Sequence, residues 1–315
     1  MEVLDFFIDE DNAEKTREIH HFQKELIFAA IVFAVSVIGL CFDAAFSDDA
    51  SQFLSSAKGK LWVFICSVKT VFAAIASLYT WRLLKKERGH LRKMDVLTTA
   101  LIFTVVVLPL FLPIRGLLNY PSIAIKFVLL TGIAAWVSWL AMDGMLLIRR
   151  RLDMIERKLD NIHADQVHLA VTNFLKLKEK LQNLLLINGI IIGLSTLAAG
   201  SMRNALQDSY SIQIPIEYVI IYGAYFSGVL VITYLPTYIR NLEVGKKILN
   251  HYYPIEKLPK PHEENEHHVK WYESRERLYE LLELNKSFNF FGVNGFSIFS
   301  PILGSIAGIL IGFNK

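Results

Sequence analysis

The sequence predicts an all-α, polytopic membrane protein with about seven transmembrane helices and long helical extensions on the last four. Three observations carry this reading. Apolar residues make up 53% of the 315-residue chain and the mean hydropathy is +0.37, too high for an ordinary water-soluble domain. They gather into runs of roughly twenty residues, the length a helix needs to cross about 30 Å of hydrocarbon. The runs lack the alternation of a membrane β-strand, and in lipid a helix is the segment that satisfies its own backbone groups.

Residues Met1 to Lys24 are rich in Asp and Glu, with an apolar cluster at Val3, Leu4, Phe6, Phe7 and Ile8. The first run, Leu26 to Phe42, follows these acidic residues, the opposite of a basic leader, and is expected to stay in the chain as the first span. It pairs with Leu61 to Trp81 through the loop Asp43 to Lys60. Lys69 falls in the middle third of that second run. A charge at such depth is costly and faces a bundle interior or a wet cavity, so Lys69 is a candidate functional residue. The third run, Val96 to Ile114, ends in Pro109 and Pro113 and a tight turn around Arg115, Gly116 and Asn119.

The fourth run, Ile125 to Ile148, meets no Gly or Pro at Arg149, Arg150 and Arg151. Its apolar seam continues through Leu152, Ile155 and Leu159 at spacings of four and three. Val167, Val171, Phe174, Leu177, Leu181 and Leu184 restart the seam and lead into the fifth run, Leu184 to Met202. Residues 149–183 are therefore expected to form a helical hairpin that projects from the membrane. In the fifth run Asn188, Gly189 and Gly193 read as a packing step between helices. The sixth run, Tyr218 to Ile239, continues past Arg240, Lys246 and Lys247 until Pro254, Pro259 and Pro261 break it. Val269 to Phe290 then reads as a helix feeding the seventh run, Phe291 to Phe313.

Charge sets the orientation. Twenty-six of the 33 Lys and Arg lie in the N-terminal segment and in residues 82–95, 149–183 and 240–290, all on one side of a seven-span chain. The positive-inside rule makes that side cytoplasmic, with the N-terminus inside, the C-terminus outside, and the chain in a plasma or bacterial inner membrane. Cys41 and Cys66 both fall within runs, which argues against a disulfide framework. All nine His lie outside the runs, so ligands for an intramembrane zinc centre do not converge. The cluster His262, Glu263, Glu264, Glu266, His267 and His268 follows a proline-broken linker and reads as a solvated loop. No nucleophile-and-base pair, HExxH or phosphate-cradling glycine loop appears, so the chain is expected to be neither an enzyme nor a cofactor protein.

The seventh run has one nearly bare face. At 100° per residue Asn294, Ser297, Pro301, Gly304, Gly308 and Gly312 share an arc of about 80°, flanked by Ser300 and Ser305. Such a stripe either admits another helix closely or leaves an unplugged pore wall, and the sequence favours the pore. Arg88 and Arg92 in one loop, and Arg149, Arg150, Arg151, Arg157 and Lys158 on the stalk, are candidate contacts for anionic lipid, a nucleotide, an oligonucleotide or a phospholipid head group.

Over the whole chain this topology resembles the seven-transmembrane, ligand-gated ion channels of the insect chemoreceptor type. The resemblance implies an intracellular anchor built from extensions of the later spans, a tetramer, and a last helix lining the pore. The expected function is a homo-oligomeric ion channel, gated through its cytoplasmic helices or a bound ligand. A depolarising membrane effector is one version of it. The competing expectation is a small-solute transporter or membrane scaffold, in which the glycine stripe is a packing seam and Lys69 holds a substrate or structural partner.

Overall fold

The computed structural model describes residues 27–42, 47–87, 121–159, 167–255, 266–284 and 293–311. The acidic N-terminal segment, the third run, Arg88, Arg92, the His/Glu cluster up to residue 265 and Gly312 lie outside the described residues. Among the described residues the chain is helical and contains no strand. In order the helices are α1 (Ile27–Cys41), α2 (Asp48–Ser55), α3 (Ala57–Glu87), α4 (Pro121–Leu159), α5 (Val167–Tyr210), α6 (Ile216–Tyr252), α7 (Glu266–Leu281) and α8 (Val293–Leu310).

Four of these, α3 to α6, are long and apolar enough to cross a membrane. The seven spans expected from the sequence are matched only to that extent. α1 and α8 are apolar but shorter over their described lengths, and the whole third run lies outside the described residues. α4, α5 and α6 contain 39, 44 and 37 residues. At 1.5 Å per residue they are about 55–66 Å long, roughly twice the hydrocarbon thickness. The helices thus continue well past the fourth, fifth and sixth apolar runs; the segment leading into α8, residues 285–292, lies outside the described residues.

Local chemistry sets the helix ends at one pole of the bundle. The Ser47 hydroxyl caps α2 by accepting from the Ala50 amide, and Ser56 accepts from the Gly59 amide at 2.9 Å to start α3. Gly59 has no side chain for a reason: a Cβ there would lie 2.0 Å from the Phe53 carbonyl oxygen. α5 ends where Ser211 takes a left-handed φ of 56° while its amide still bonds to Gln207. Pro215 then opens α6, and Arg203 donates to the Ile214 carbonyl, tying the intervening turn back to α5. Gln52 reaches the Ser209 carbonyl at 2.7 Å, which fixes the short helix α2 against the same turn.

The opposite pole is a stalk made by the far halves of α4, α5 and α6. Ile148, Leu152 and Leu159 bury against Phe174, Leu181 and Leu184, and Val244, Ile248 and Leu249 close the third side. The apolar seams legible in the sequence are the interior of this stalk. Each such side chain removed from water contributes about 1.5–3 kcal/mol. α7 ends in a left-handed Glu283 (φ 52°), and the next residue, Leu284, packs into the stalk beside Gly245 and Phe174. Lys178 of α5 holds that end through the Leu282 carbonyl and the Glu283 carboxylate, both at 2.9 Å.

α8 lies in a groove between α5 and α6, and its bare face meets their bare faces. A Cβ on Gly189 would fall 2.5 Å from the Ser297 carbonyl oxygen, one on Gly200 would fall 2.9 Å from the Gly308 Cα, and one on Gly223 would meet the Ser305 hydroxyl. Gly304 abuts the Gly193 carbonyl so closely that any side chain there must move backbone. Hydrogen bonds lock the contact: Ser300 donates to the Gly189 carbonyl at 2.6 Å, Thr196 to the Pro301 carbonyl at 2.8 Å, and Asn204 to the Gly308 carbonyl at 2.8 Å. Pro301 has no amide hydrogen for the Ser297 carbonyl, which accepts from the Ser300 hydroxyl at 2.8 Å instead, and Ser305 donates to the Pro301 carbonyl.

The outward surface is apolar. Ile27, Ile31, Val35, Ile38 and Phe42 form a stripe on α1; Ile125, Leu129, Ile133 and Trp136 form one on α4; Phe296, Phe299, Leu303, Ile306 and Leu310 form one on α8. Polar groups lie inside instead, among them Lys69, Asn188, Thr196, Asn204 and Ser297. This seam makes a quantitative prediction. Gly304→Ala, which drives a methyl into the Gly193 backbone, is expected to cost about 1–3 kcal/mol, whereas Gly228→Ala, which meets no described atom within 4 Å, should change stability by no more than about 0.5 kcal/mol. Reversible unfolding in mixed micelles measures both.

Candidate functional site

Lys69 is where a cavity forms. It lies twelve residues into α3, so it lies about 18 Å along the helix from Ala57, near the middle of the bundle. α3 contributes Trp62, Cys66 and Lys69 to the cavity wall; α4 contributes Leu130, Thr131 and Ser138; α5 contributes Asn188, Ile192 and Ser195; α6 contributes Tyr222, Phe226 and Val229. The enclosed space is about 50 Å³, where ~10–15 Å³ admits one water, so it has room for a few waters or a small solute. Its wall is mostly apolar with a few polar groups converging on it, the composition of a binding site rather than a packing defect.

The electrostatics at this point are unbalanced. Lys69 is 3% exposed, and its Nζ donates one hydrogen bond, to the Leu130 carbonyl at 3.1 Å. No carboxylate among the described residues pairs with it. An ammonium has three donors, so two remain for something in the cavity. Asn188, on the α5 wall of the same cavity, is fully buried, and neither its amide nitrogen nor its oxygen has a hydrogen-bond partner. Leaving a buried carboxamide unpaired costs about 1–3 kcal/mol, so an unused Asn188 beside an unpaired Lys69 marks unfilled binding capacity.

A second, more open cavity of about 100 Å³ adjoins the first toward the turn between α5 and α6. Met202, Arg203, Leu206, Ile214, Tyr218 and Val219 line it, and it shares Phe127, Ala199 and Tyr222 with the Lys69 cavity. Tyr222 stacks edge-on against Phe226 at 4.8 Å between ring centres. The two spaces therefore form a series from the capped pole to the bundle centre, divided by two aromatic side chains and one alanine.

The sequence singled out Lys69, and the structure gives it this setting. It took Asn188 together with Gly189 and Gly193 as a packing step. The glycines do pack, on α8, but Asn188 turns the other way into the cavity. The signal was present: a carboxamide inside an apolar run has no reason of its own to be there. Thr131, Ser138 and Tyr222 carried no such signal.

The small face of the last run, expected to line a pore, is occupied within the chain. Ser297, Ser300, Ser305 and Gly308 are buried, Gly304 abuts Gly193, and Asn294 is half-buried. The face left outward on α8 is the apolar one. Of the basic residues, Arg149, Arg157 and Lys158 are exposed and Arg150 and Arg151 half-buried, and none of them lines either cavity. Among the described residues no cluster of His, Cys, Asp and Glu has the geometry to hold a metal ion.

A charge network that no local pattern predicts ties α4 to α6 on the stalk. Arg240 binds Asp153 at 2.6 Å, Glu243 at 3.0 Å, and Glu156; Lys247 also binds Glu156. The hydrogen bond from Lys247, reinforced by the Arg240 charge, holds the Glu156 carboxyl below the usual carboxylate range, against the opposing effect of its partial burial.

No family model matches the chain, and neither a curated protein nor a solved structure matches it.

Two stability measurements follow. Lys69→Met removes an unpaired buried cation and keeps its apolar stem, so it is expected to raise stability by about 0.5–2 kcal/mol, the mark of a residue kept for function; a structural lysine would lose stability instead. Glu156 has a lowered folded-state pKa, so its contribution is full at neutral pH and disappears as pH falls through that value. The melting-temperature gap between the wild type and Glu156→Gln should therefore be widest near neutrality and close below the ordinary carboxylate range.

Proposed function

We propose that the chain is a multi-pass membrane carrier that binds a small solute at the Lys69 cavity. One observation carries the proposal: a buried lysine that pairs with no described carboxylate and a buried, unpartnered Asn188 line one cavity walled by the four long helices. Intramembrane charges of this kind mark solute and ion pathways. The adjoining cavity supplies an entry route from the capped pole, and Phe127 and Tyr222 stand where a gate is needed. The charge bias of the loops supports a cytoplasmic stalk, an N-terminus inside, a C-terminus outside, and residence in a plasma or bacterial inner membrane.

The homo-oligomeric channel is a second reading, and a different observation favours it. Gly39, Gly132 and Gly228 face outward, where a Cβ would meet no described atom within 4 Å, so α1, α4 and α6 leave room for another copy to approach closely. In that reading a tetramer conducts between its subunits, and the α8 stripe lines the path only if the α5–α8 seam opens.

Cys66 lines the cavity and reports on access to it. With Cys41→Ser it becomes the sole cysteine of the chain. In whole cells and in inverted vesicles, an impermeant sulfonate-bearing methanethiosulfonate is expected to modify Cys66 from both sides, and Tyr222→Ala should accelerate modification from the capped pole. Modification from one side only, or from neither, rules out a carrier. Unitary currents from the purified protein in planar bilayers, with cross-linked oligomers, would select the channel.

A further inference from the structure

The carrier reading leaves the solute unidentified, and the cavity is specific enough to name its class. We propose that the site takes a monocarboxylate with an apolar body, its head between Lys69 and Asn188 and its body toward Ile192, Phe226 and Val229. This inference rests on the carrier reading and specifies its substrate.

Charge decides the head group. The cavity wall carries one cation and no carboxylate. In a medium of low dielectric a buried ion is tolerated when paired, and a single negative charge brings the site to neutrality. A phosphate monoester or dicarboxylate would leave a second negative charge buried with nothing to meet it, and no arginine fork lines the space to receive one. A cationic solute would place two positive charges together.

The unused donors agree with this choice. A carboxylate offers two oxygens: one can accept from the Lys69 ammonium, whose recorded bond uses one of three donors, and the other from the Asn188 amide nitrogen, which is without a partner. The rest of the wall sets the body of the ligand. Leu130, Ile192, Phe226 and Val229 have no side-chain hydrogen-bonding group, so a polyol would strand the hydroxyls that lie against them; the hydroxyls of the wall are those of Thr131, Ser138, Ser195 and Tyr222.

Brominated probes in nanodiscs test the proposal through contact quenching of tryptophan, since Trp62 is in the wall. The probes are 3-(4-bromophenyl)propionate, which arrives from water, and 10-bromodecanoate, which arrives from the bilayer, each beside its alcohol analogue. At least one acid is expected to quench saturably, with affinity tenfold or more above its alcohol, and Trp62→Phe should remove that quenching. The acid that binds more tightly identifies the source. Lys69→Met should shrink the acid-over-alcohol preference to below threefold while alcohol binding persists, which also shows that the variant is folded. Asn188→Leu should lower acid affinity threefold or more with the alcohol unaffected. Equal binding of acid and alcohol to the wild type, or a preference that survives Lys69→Met, overturns the monocarboxylate class and leaves the cavity reading standing. Failure of every acid and alcohol to quench Trp62 saturably removes the carrier reading itself.

Discussion

Everything central in this protein depends on how closely the backbones of α5 and α8 approach. Between helices in lipid there is no hydrophobic drive, since the alternative surroundings are equally apolar, so contact and hydrogen bonding must hold them together. Gly189, Gly193 and Gly200 on one helix, with Gly304 and Gly308 on the other, bring main chain against main chain. At that range the side chains of Thr196, Asn204 and Ser300 reach carbonyls of the facing helix. The seam holds α5 by one flank and so fixes its opposite flank, where Asn188, Ile192 and Ser195 face the cavity. A glycine stripe thus positions a site it does not touch.

The bundle is arranged inside out relative to a water-soluble protein. Its large outward side chains include Ile, Leu, Val, Phe, Tyr and Trp, and many hydroxyls and carboxamides, with Lys69, Lys126 and Asp143, are enclosed. Some of the enclosed hydroxyls are satisfied on their own helix, Thr196 by the Gly193 carbonyl and Ser305 by the Pro301 carbonyl, whereas those of Ser67, Thr80 and Ser227 have no partner. Within the cavity wall Lys69 and Asn188 stand out, the one using a single donor and the other none of its bonding capacity.

Much of the fold was legible because it depends on periodicity along one helix. The stalk seam at Ile148, Leu152 and Leu159, and its counterpart at Phe174, Leu181 and Leu184, could be read from spacing alone, since each helix must bury its stripe whatever its partner. Lys69 was legible as a charge in an apolar run. The bare face of α8 was legible as a face, but its use depends on what lies opposite, and the matching glycines on α5 and α6 come from segments roughly 80 to 110 residues away in the chain. Arg240 with Asp153 and Glu156 is of the same kind: the charges were visible, but their pairing across α4 and α6 is set by tertiary packing. The seven apolar runs gave composition without length, and only α3 to α6 reach spanning length among the described residues.

The unbroken length of α4, α5 and α6 has a mechanical consequence. Each is one rod that serves the stalk at one end and the cavity at the other: Leu152 and Thr131 share a helix, as do Phe174 and Asn188, and Ile248 and Tyr222. About 14 to 26 residues of helix separate these pairs, lever arms of roughly 20–40 Å, over which a tilt of about 5° moves the far end by about 2–3 Å. α6 alone carries a proline within its helix, Pro236, between the Arg240 charge network and the cavity-lining Val229. That is where a backbone hydrogen bond is missing and bending is cheapest. Straight levers on two sides and a jointed one on the third would make the charge network and the cavity ends of a single linkage, in which whatever loads one end is felt, by reciprocity, at the other.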